Sequence, residues 1–469
     1  MLGLFGTLDL GSRALAVQQQ EMEISGQNVS NVSNTSYAEE QLNIQESTPL
    51  ETPIGEEGTG VQATSITEVR DALLDNQIQA EGSVTSSLTA QQTNLQNAEA
   101  YLDEQISSTS SSTTPDSANG LAADLSNLFG SFESLSTDPS DLSLRQTAVQ
   151  SAQEIATQFN QVSSQLSGVR NDINTSIQND VTGANQDLAT IASLNQQIVA
   201  AQASGGTANS LVDQREATLE DLAGKVNIST SAQSNGAVDV SIGGVTMISG
   251  ITNSDSLKTY DAGNGQLLIQ AQNAGTPLSL SGGSIEGEIT ARDGALASLQ
   301  SGVNTLATQL ITNVNSIYFT GYDLNGNTGQ DLFTGTGASD IGVNSAVVSD
   351  PTQFQASGTA GAAGDNTTVL ALAQLANQNI SGLNNQTFSE NYAQTVSDLG
   401  NSISTVNDQL NSSHAVSQML TSQRASESGV SIDTEMTNLI QYQKAYEAAA
   451  ELITTLNQMM QTVVTMKSS

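Results

Sequence analysis

The last forty residues carry an apolar repeat of period seven that a small domain alone cannot cover. No Gly or Pro occurs from residue 430 to 469, so nothing interrupts a helix there. A helix of about 35 residues is about 50 Å long. Apolar or aromatic side chains fill all core positions of the repeat except Glu435. A surface of this kind calls for partner helices; its core positions are Ile432, Leu439, Tyr442, Tyr446, Ala449, Ile453, Leu456, Met460 and Val463.

The N-terminal segment, residues 4–32, has the same period. Two seven-spaced rows give it a broad apolar face, which is typical of an amphipathic helix. This segment alone fits a core helix and a partner helix about equally well. Because both chain ends carry heptads, we predict that the terminal helices pair in a coiled-coil-like inner domain. The two rows are Leu8, Leu15, Met22 and Val29, and Leu10, Val17 and Ile24.

Helical periodicity also dominates the middle of the chain. It covers residues 84–106, 155–198, 211–222, 289–320 and 366–424. Residues 107–117, SSTSSSTTPDS, are predicted to form a flexible loop. Asp138 is predicted to be the N-cap of the long helix that includes residues 155–198, with Pro139 in its first turn.

Residues 226–290 change to strand periodicity. VDVSIGGVTMI, residues 238–248, alternates apolar and polar residues around Gly243-Gly244 and predicts a hairpin. The expected fold is mainly α with an inserted, outer β-rich domain. We predict three domains: a terminal-helix domain (1–45 with 425–469), a rod-like helical domain (46–225 with 289–424), and the β-rich domain (226–288).

Composition limits the possible partners. The chain has 48 acidic and 11 basic residues, a formal charge of −37, which argues against nucleic acid or an anionic membrane surface. Cys is absent, so disulfides and thiolate metal sites are excluded. No run of about 18 apolar residues and no secretory signal pattern is present. We expect a cytoplasmic protein or one exported without a Sec-type signal.

Candidate catalytic and metal-binding residues are few. His414 is the only histidine, which excludes a His-based triad or a His-cluster zinc site. Asp323-Leu-Asn325-Gly-Asn327 begins like a calcium loop, but Thr328 and Thr334 occupy the Gly and Glu positions, so Asx turns are favoured. Residues 213–216, DQRE, are read as a local ion-pair cluster. We predict no enzyme activity, no cofactor and no metal site.

The segment QNVSNVSNTSY, residues 27–37, follows the first helix. It resembles the motif NN-hydrophobic-(A/S)-N-x-x-T-x-G-Y of the axial proteins of the bacterial flagellum. Gln27 and Ser36 depart from that motif, and Glu39 and Glu40 stand where a basic residue commonly follows. We expect the Asn and hydroxyl side chains to bond local backbone groups and Tyr37 to pack at the turn. The motif residues are Asn28, Asn31, Asn34, Thr35 and Tyr37.

Stretches in the middle of the chain are similar to the hook-associated protein 1 family, whose members form the hook–filament junction. Each stretch is weakly specific, but together and in order they span nearly the whole chain. They are Leu135–Ser140 before Leu144-Arg145, Asn209–Arg215, Gly282–Gly287 before Arg292-Asp293, Gly321–Gly326, and Gly364–Asn366 before Leu370.

This resemblance implies a structural adaptor that joins hook to filament. It implies export by the flagellar type III machine without a cleaved signal and an extracellular location in the flagellum. The implied partners are other copies of the chain, the hook protein, a second hook–filament junction protein, and an export chaperone at residues 430–466. Two alternatives stay open: a hook or distal rod component, and a secreted coiled-coil effector or adhesin. The expected axial-assembly interface is Leu8, Leu15, Met22, Val29, Ile432, Leu439, Tyr442, Tyr446, Ile453, Leu456, Met460 and Val463.

Overall fold

The computed structural model describes residues 3–52, 55–102, 120–263 and 265–468. The chain is mainly helical with strands in its middle, as the sequence predicts. The predicted loop at 107–117 lies outside the described residues. Among the described residues, no helix is both long and apolar enough to cross a membrane.

The two terminal helices pack against each other in opposite directions, which confirms the predicted pairing. Helix α1 is Leu4–Asn31 and helix α11 is Ile432–Ser468. Gly11, near the start of α1, faces Ile453, whereas Asn28, near its end, contacts Glu435 at the start of α11. In this register, the residues after Met460 extend beyond the first residue of α1.

Two small antiparallel strand pairs follow α1, one nested within the other along the chain, in a region where the sequence predicts no strands. Strand β1 pairs antiparallel with β4, and β2 pairs antiparallel with β3. Only Leu42 and Ile44 are apolar in β1, and most of its side chains are exposed, so the apolar alternation is too short to indicate a half-buried strand. The strands are β1 Glu40–Glu46, β2 Leu50–Thr52, β3 Gly55–Glu57 and β4 Val61–Glu68.

Helices form the body of the molecule. The longest, α4, has 62 residues and is therefore about 93 Å long. Its buried residues recur every three to four positions and meet the other helices in one continuous core. A π-helical turn, Arg292–Leu296, joins α6 to α7. The helices are α2 Ala72–Ala100, α3 Gly120–Thr137, α4 Leu142–Ala203, α5 Asn209–Lys225, α6 Ser284–Ala291, α7 Ala297–Tyr318, α8 Ser345–Ser349, α9 Thr367–Gln374 and α10 Phe388–Glu427.

The predicted N-cap of α4 is wrong by three residues. Asp141 is the cap, because its Oδ1 accepts hydrogen bonds from the backbone N–H groups of Ser143 at 2.6 Å and Leu144 at 3.0 Å. Asp138 instead accepts from the N–H of Ser140 at 3.2 Å. The Asp138 side chain therefore stabilises the turn between α3 and α4, and the helix begins after that turn.

The predicted hairpin at Gly243-Gly244 is present as β6 and β7. Both glycines have positive φ, 55° and 81°, as a two-residue type I′ hairpin turn requires. Strands β5 to β8 form an antiparallel sheet in chain order, and β9 pairs with β10. The strands are β5 Ile228–Ala232, β6 Val238–Ile242, β7 Val245–Ser249, β8 Thr252–Asn253, β9 Leu257–Asp261, β10 Leu267–Ala271, β11 Phe333–Thr334 and β12 Gly342–Val343.

Asparagine side chains of α4 attach this β region to the helical body. Asn195 is fully buried and donates from Nδ2 to the carbonyls of Val238 at 2.8 Å and Gly250 at 2.7 Å. Asn185 both donates to and accepts from the backbone of Leu257. An amide side chain matches the donor and acceptor of a strand backbone, so these residues hold strands against a helix without unsatisfied polar groups.

Candidate assembly surface of the terminal helices

The predicted interface residues lie along the α1–α11 contact, with different degrees of burial. Those of α1, namely Leu8, Leu15, Met22 and Val29, are half-buried, while Val17 and Ile24 of the second row are the buried ones. Leu439, Tyr442, Ile453, Leu456 and Met460 of α11 are half-buried. Three predicted residues remain exposed: Ile432, Tyr446 and Val463. The helix pair thus uses one side of each helix and leaves further apolar side chains uncovered.

Asn28 is the centre of the turn that follows α1. Its Oδ1 accepts from the Tyr37 hydroxyl at 2.8 Å and from the Glu40 backbone N–H at 3.0 Å. Its Nδ2 donates to the Glu40 carbonyl at 3.0 Å and to Glu435 Oε1 at 3.1 Å. One buried amide therefore fixes the end of α1, the start of β1 and the start of α11 together.

Glu435, the polar exception in the heptad repeat, is explained by this contact. The residue is only 3% exposed, and it occupies the core position that faces Asn28. A backbone hydrogen bond from Glu39 N–H to the Ser428 carbonyl, 2.8 Å, joins the same two segments just before α11. A polar residue at one core position of a coiled coil fixes the register of the helices.

The other motif residues act more locally. Asn31 donates from Nδ2 to the Gln27 carbonyl at 3.0 Å, and Asn34 accepts from the Ser36 N–H at 3.2 Å. Thr35 is exposed. Tyr37 packs at the turn, where burial and then the carboxylates of Glu40 and Asp213 raise the pKa of its hydroxyl. The expectation of local backbone bonding holds for Asn31 and Asn34, whereas Asn28 makes long-range contacts.

Arg70 joins this turn to the helical body. The residue lies between β4 and α2. Its guanidinium donates to the Ser36 carbonyl at 3.0 Å, to Glu68 at 3.2 Å, to Asp75 at 3.1 Å, and also to Asp213. The planar fork of Arg suits several acceptors at once. Four separate segments thus meet at one side chain.

The carboxylates around Arg70 are crowded and buried. Burial, followed by the charge of Asp213, raises the pKa of Glu68 to about 7, although Arg70 opposes the shift. Burial also raises the pKa of Asp213 and of Glu216, against the opposing effect of Arg70 and Arg215. The predicted local cluster at 213–216 is therefore part of a larger ionic joint between segments distant in sequence.

An exposed apolar row follows the C-terminal half of α11. Leu452 and Met459 are about half exposed and lie seven residues apart, and Met466 continues the row. Val463 and Val464 are exposed in the part of α11 that extends beyond α1. Apolar side chains repeated at this spacing are typical of a surface that packs against another helix.

Two of the mid-chain stretches that resemble the family contain buried arginines, Arg145 and Arg292. Arg145 is 1% exposed and donates to the carbonyls of Pro139, at 2.7 Å, and Phe354. Arg292 is 1% exposed and donates to Asn174 at 2.7 Å and to the Leu267 carbonyl at 2.8 Å. These residues connect elements far apart in the chain, so their function in this structure is to position helices and strands.

The weak chemical candidates have structural explanations. His414 is exposed on α10. Asp323 accepts from the backbone N–H groups of Asn325 and Asn327, each at 2.8 Å, which confirms the Asx turn. Among the described residues, no group of three or more His, Asp or Glu side chains is arranged to hold a metal ion.

Two family models match the chain. The model described as the helical domain of flagellar hook-associated protein FlgK matches residues 106–333. The model described as the C-terminal part of the flagellar basal body rod proteins FlgEFG matches residues 421–466. The second match covers most of α11, whose heptads first indicated an assembly helix.

Curated relatives match nearly the whole chain. Flagellar hook-associated protein 1 of Bacillus subtilis (strain 168) is 27% identical over 512 residues, covering 99% of this chain and 98% of that protein. The protein of the same name from Salmonella typhimurium is 24% identical, covering 85% and 88%. The solved structure of the flagellar hook junction protein FlgK from Burkholderia pseudomallei has the same fold, with a TM-score of 0.65, 17% identity, and coverage of 75% of this chain and 100% of that one.

Proposed function

Because the chain belongs to the flagellar hook-associated protein 1 family, we propose that it is the structural adaptor that joins hook to filament and lets flagellin assemble at the hook tip. The observation that carries the proposal is the paired terminal helices. They are fixed in register by Asn28 and Glu435, yet α11 keeps an apolar row uncovered. Such a helix pair has a fixed register within one subunit and still presents an apolar surface to neighbouring helices.

In the proposed assembly, α1 and α11 pack against the same helices of adjacent subunits around a central channel. The hook protein lies on one side and a second junction protein on the other. Contacts between different surfaces of identical subunits build rings or helical arrays. Arg70 fixes the terminal pair relative to the helical body, because its guanidinium binds Ser36 as well as side chains of α2 and α5.

We further propose that an export chaperone covers α11 before assembly and that the flagellar type III machine exports the chain. The exposed side chains of Leu452, Met459 and Val463 are a binding surface for an apolar groove or helix. Covering them before assembly would prevent premature association of subunits.

The experiment is complementation of a strain that lacks the gene. A variant with Met459→Asn, Val463→Asn and Val464→Asn should restore few filaments, and flagellin should appear in the medium. The matched control changes three exposed apolar residues outside the terminal pair, Leu73→Asn, Leu142→Asn and Ile251→Asn. Equal restoration by both variants, with both proteins folded by circular dichroism, would contradict the proposed assembly surface.

The alternative of a hook or distal rod component is favoured by one observation, the match of residues 421–466 to the rod-protein C-terminal model. That match covers only 46 residues, whereas the longer match, over residues 106–333, is to the hook-associated helical domain. Loss of hooks, rather than loss of filaments from intact hooks, would favour the alternative.

A further inference from the structure

A polar cavity of about 190 Å³ lies where α1, β1 and α11 meet. Four carboxylate residues line it, Glu21, Glu39, Glu40 and Glu435, and none of its lining residues is basic. Glu39 and Glu40 have neutral partners, the amides of Gln41 and Asn209, each at 2.9 Å. The cavity therefore concentrates negative charge without a cation from its own walls.

Two carboxylate oxygens at this cavity have no hydrogen-bond partner among the described residues. One is Oε2 of Glu435, a side chain that is 97% buried, and the other is Oε2 of Glu21. Burial, followed by the carboxylates of Glu21, Glu435 and Glu39, raises the pKa of Tyr442 in the same wall. A buried carboxylate oxygen without a partner is costly, so the chemical complement of this cavity is a cation with N–H donors.

Among the α11 side chains that the structure describes, Lys444 is the basic one. It is 70% exposed, and its contact is an ion pair with Glu447 at 2.7 Å. An exposed pair of this kind contributes little stability and is easily exchanged. Arg13, on α1, is held by Asp9 at 2.9 Å and by Ser47 at 3.3 Å. A metal ion is a poorer occupant, since the carboxylates are not grouped as a metal site among the described residues.

We infer that the cavity receives the ammonium group of Lys444 from a neighbouring copy of this chain. This inference rests on the proposed function, because it requires terminal pairs to lie side by side. Glu435 and Lys444 are nine residues apart on α11, which places them on opposite sides of the helix, about 180° apart.

Because the donor Lys444 and the acceptor cavity lie on opposite sides of one helix, two copies cannot make both contacts with each other in a closed symmetric dimer. Each subunit gives Lys444 to one neighbour and accepts a lysine from another. This is a head-to-tail contact, which generates rings or helical arrays rather than isolated dimers. The inferred pair thus supplies a direction to the assembly, which an apolar row alone does not specify.

The first test uses the absence of cysteine from the chain. A variant with Gln41→Cys and Lys444→Cys is expressed in the deletion strain, and isolated flagella are treated with a short bis-maleimide cross-linker. Gln41 is exposed at the cavity rim. We expect a ladder of dimers and higher multimers on denaturing gels. The matched control carries Gln41→Cys and Thr455→Cys. Thr455 lies on the same outward side of α11 as Lys444, but 11 residues further along the helix.

The second test reverses charges. Glu21→Lys and Lys444→Glu should each reduce the number of filaments per cell about tenfold, and the double variant should recover to within about twofold of the original. Circular dichroism and thermal melting confirm that each variant folds. A failure of the double variant to recover, or equal cross-linking of both cysteine pairs, overturns the inference. Those results would not contradict the proposed adaptor function. That function is contradicted separately if the unmodified gene does not restore filaments in the deletion strain.

Discussion

The hydroxyl oxygen of Tyr37 lies 2.8 Å from Oδ1 of Asn28, nine residues earlier in the chain. The same Oδ1 accepts from the Glu40 N–H, and the amide nitrogen of Asn28 reaches Glu435 in α11. The motif after the first helix is therefore a connector between both ends of the chain, rather than a turn stabilised only by its neighbours.

Asn28→Ala should destabilise the terminal helix pair by about 3 kcal/mol, because several buried polar groups lose their partner. The free energy of local opening of α1 and α11 can be measured by amide hydrogen exchange. Asn31→Ala is the control. Its amide bonds only a carbonyl four residues earlier on the same helix, so we expect a change within about 0.5 kcal/mol. Equal effects of the two substitutions would contradict the connector function of Asn28.

Gly11 lies where α1 packs closely against α11. A Cβ at this position would lie 3.0 Å from Cγ1 of Ile453 and 3.3 Å from Cδ2 of Leu452. Gly11→Val should therefore cost about 1–3 kcal/mol through overpacking. Gly26 is also inside α1, but a Cβ added there would meet no other atom within 4 Å, so Gly26→Ala should stabilise the helix by up to about 1 kcal/mol. Thermal melting of both variants tests the helix contact, and a stabilising Gly11→Val would refute it.

Glu68 should make stability depend on pH near neutrality. Its pKa in the folded protein is about 7, above the ordinary value of 4.5. A raised carboxyl pKa stabilises the fold fully below pH 4.5, and this contribution is lost as the pH rises to about 7. Glu68→Gln should therefore leave stability at pH 4.5 nearly unchanged and increase it at pH 8, by about 2 kcal/mol.

Urea denaturation of both proteins between pH 4.5 and 8 measures this difference. Glu288 provides a second case, since burial raises its pKa to about 7 as well. Glu288→Gln should show the same direction of change in a different part of the fold. A Glu68→Gln protein less stable than the original at pH 8 would show that the ion pair with Arg70 outweighs the cost of burial.

Asn195 should be essential for docking the β region on α4. Removing its amide leaves buried backbone groups of Val238 and Gly250 unpaired, at a cost of about 2–4 kcal/mol. Hydrogen exchange in β6 and β7 should accelerate in Asn195→Ala, while the exposed neighbouring substitution Gln196→Ala should leave it unchanged. Unchanged protection of β6 and β7 in Asn195→Ala would mean that apolar packing alone holds the sheet.

The heptads made the terminal pairing predictable, because side-chain period is a local property of the sequence. The partner of Glu435 was not predictable in the same way. Glu435 reads as a defect in the repeat, and its explanation is Asn28, 407 residues earlier. Arg70 was missed for the same reason, since its acceptors come from distant segments. Sequence periodicity reports which face of a helix is apolar, but not which buried polar groups meet in space.

The strands β1 to β4 were missed because their side chains are largely exposed and polar. The cap of α4 was misplaced because Asp138 and Asp141 both precede helical sequence, and only the backbone of the Pro139 turn distinguishes them. The domain boundaries and the assembly functions of the seven-spaced residues remain predictions.

Deletion of the gene in the source strain tests directly whether this chain joins hook to filament. Electron microscopy of the cells, together with an assay of flagellin in the medium, gives the result. We expect intact hooks without filaments and flagellin lost to the medium, both reversed by the unmodified gene. Intact filaments on cells that lack the gene would show that this chain is not needed to join filament to hook.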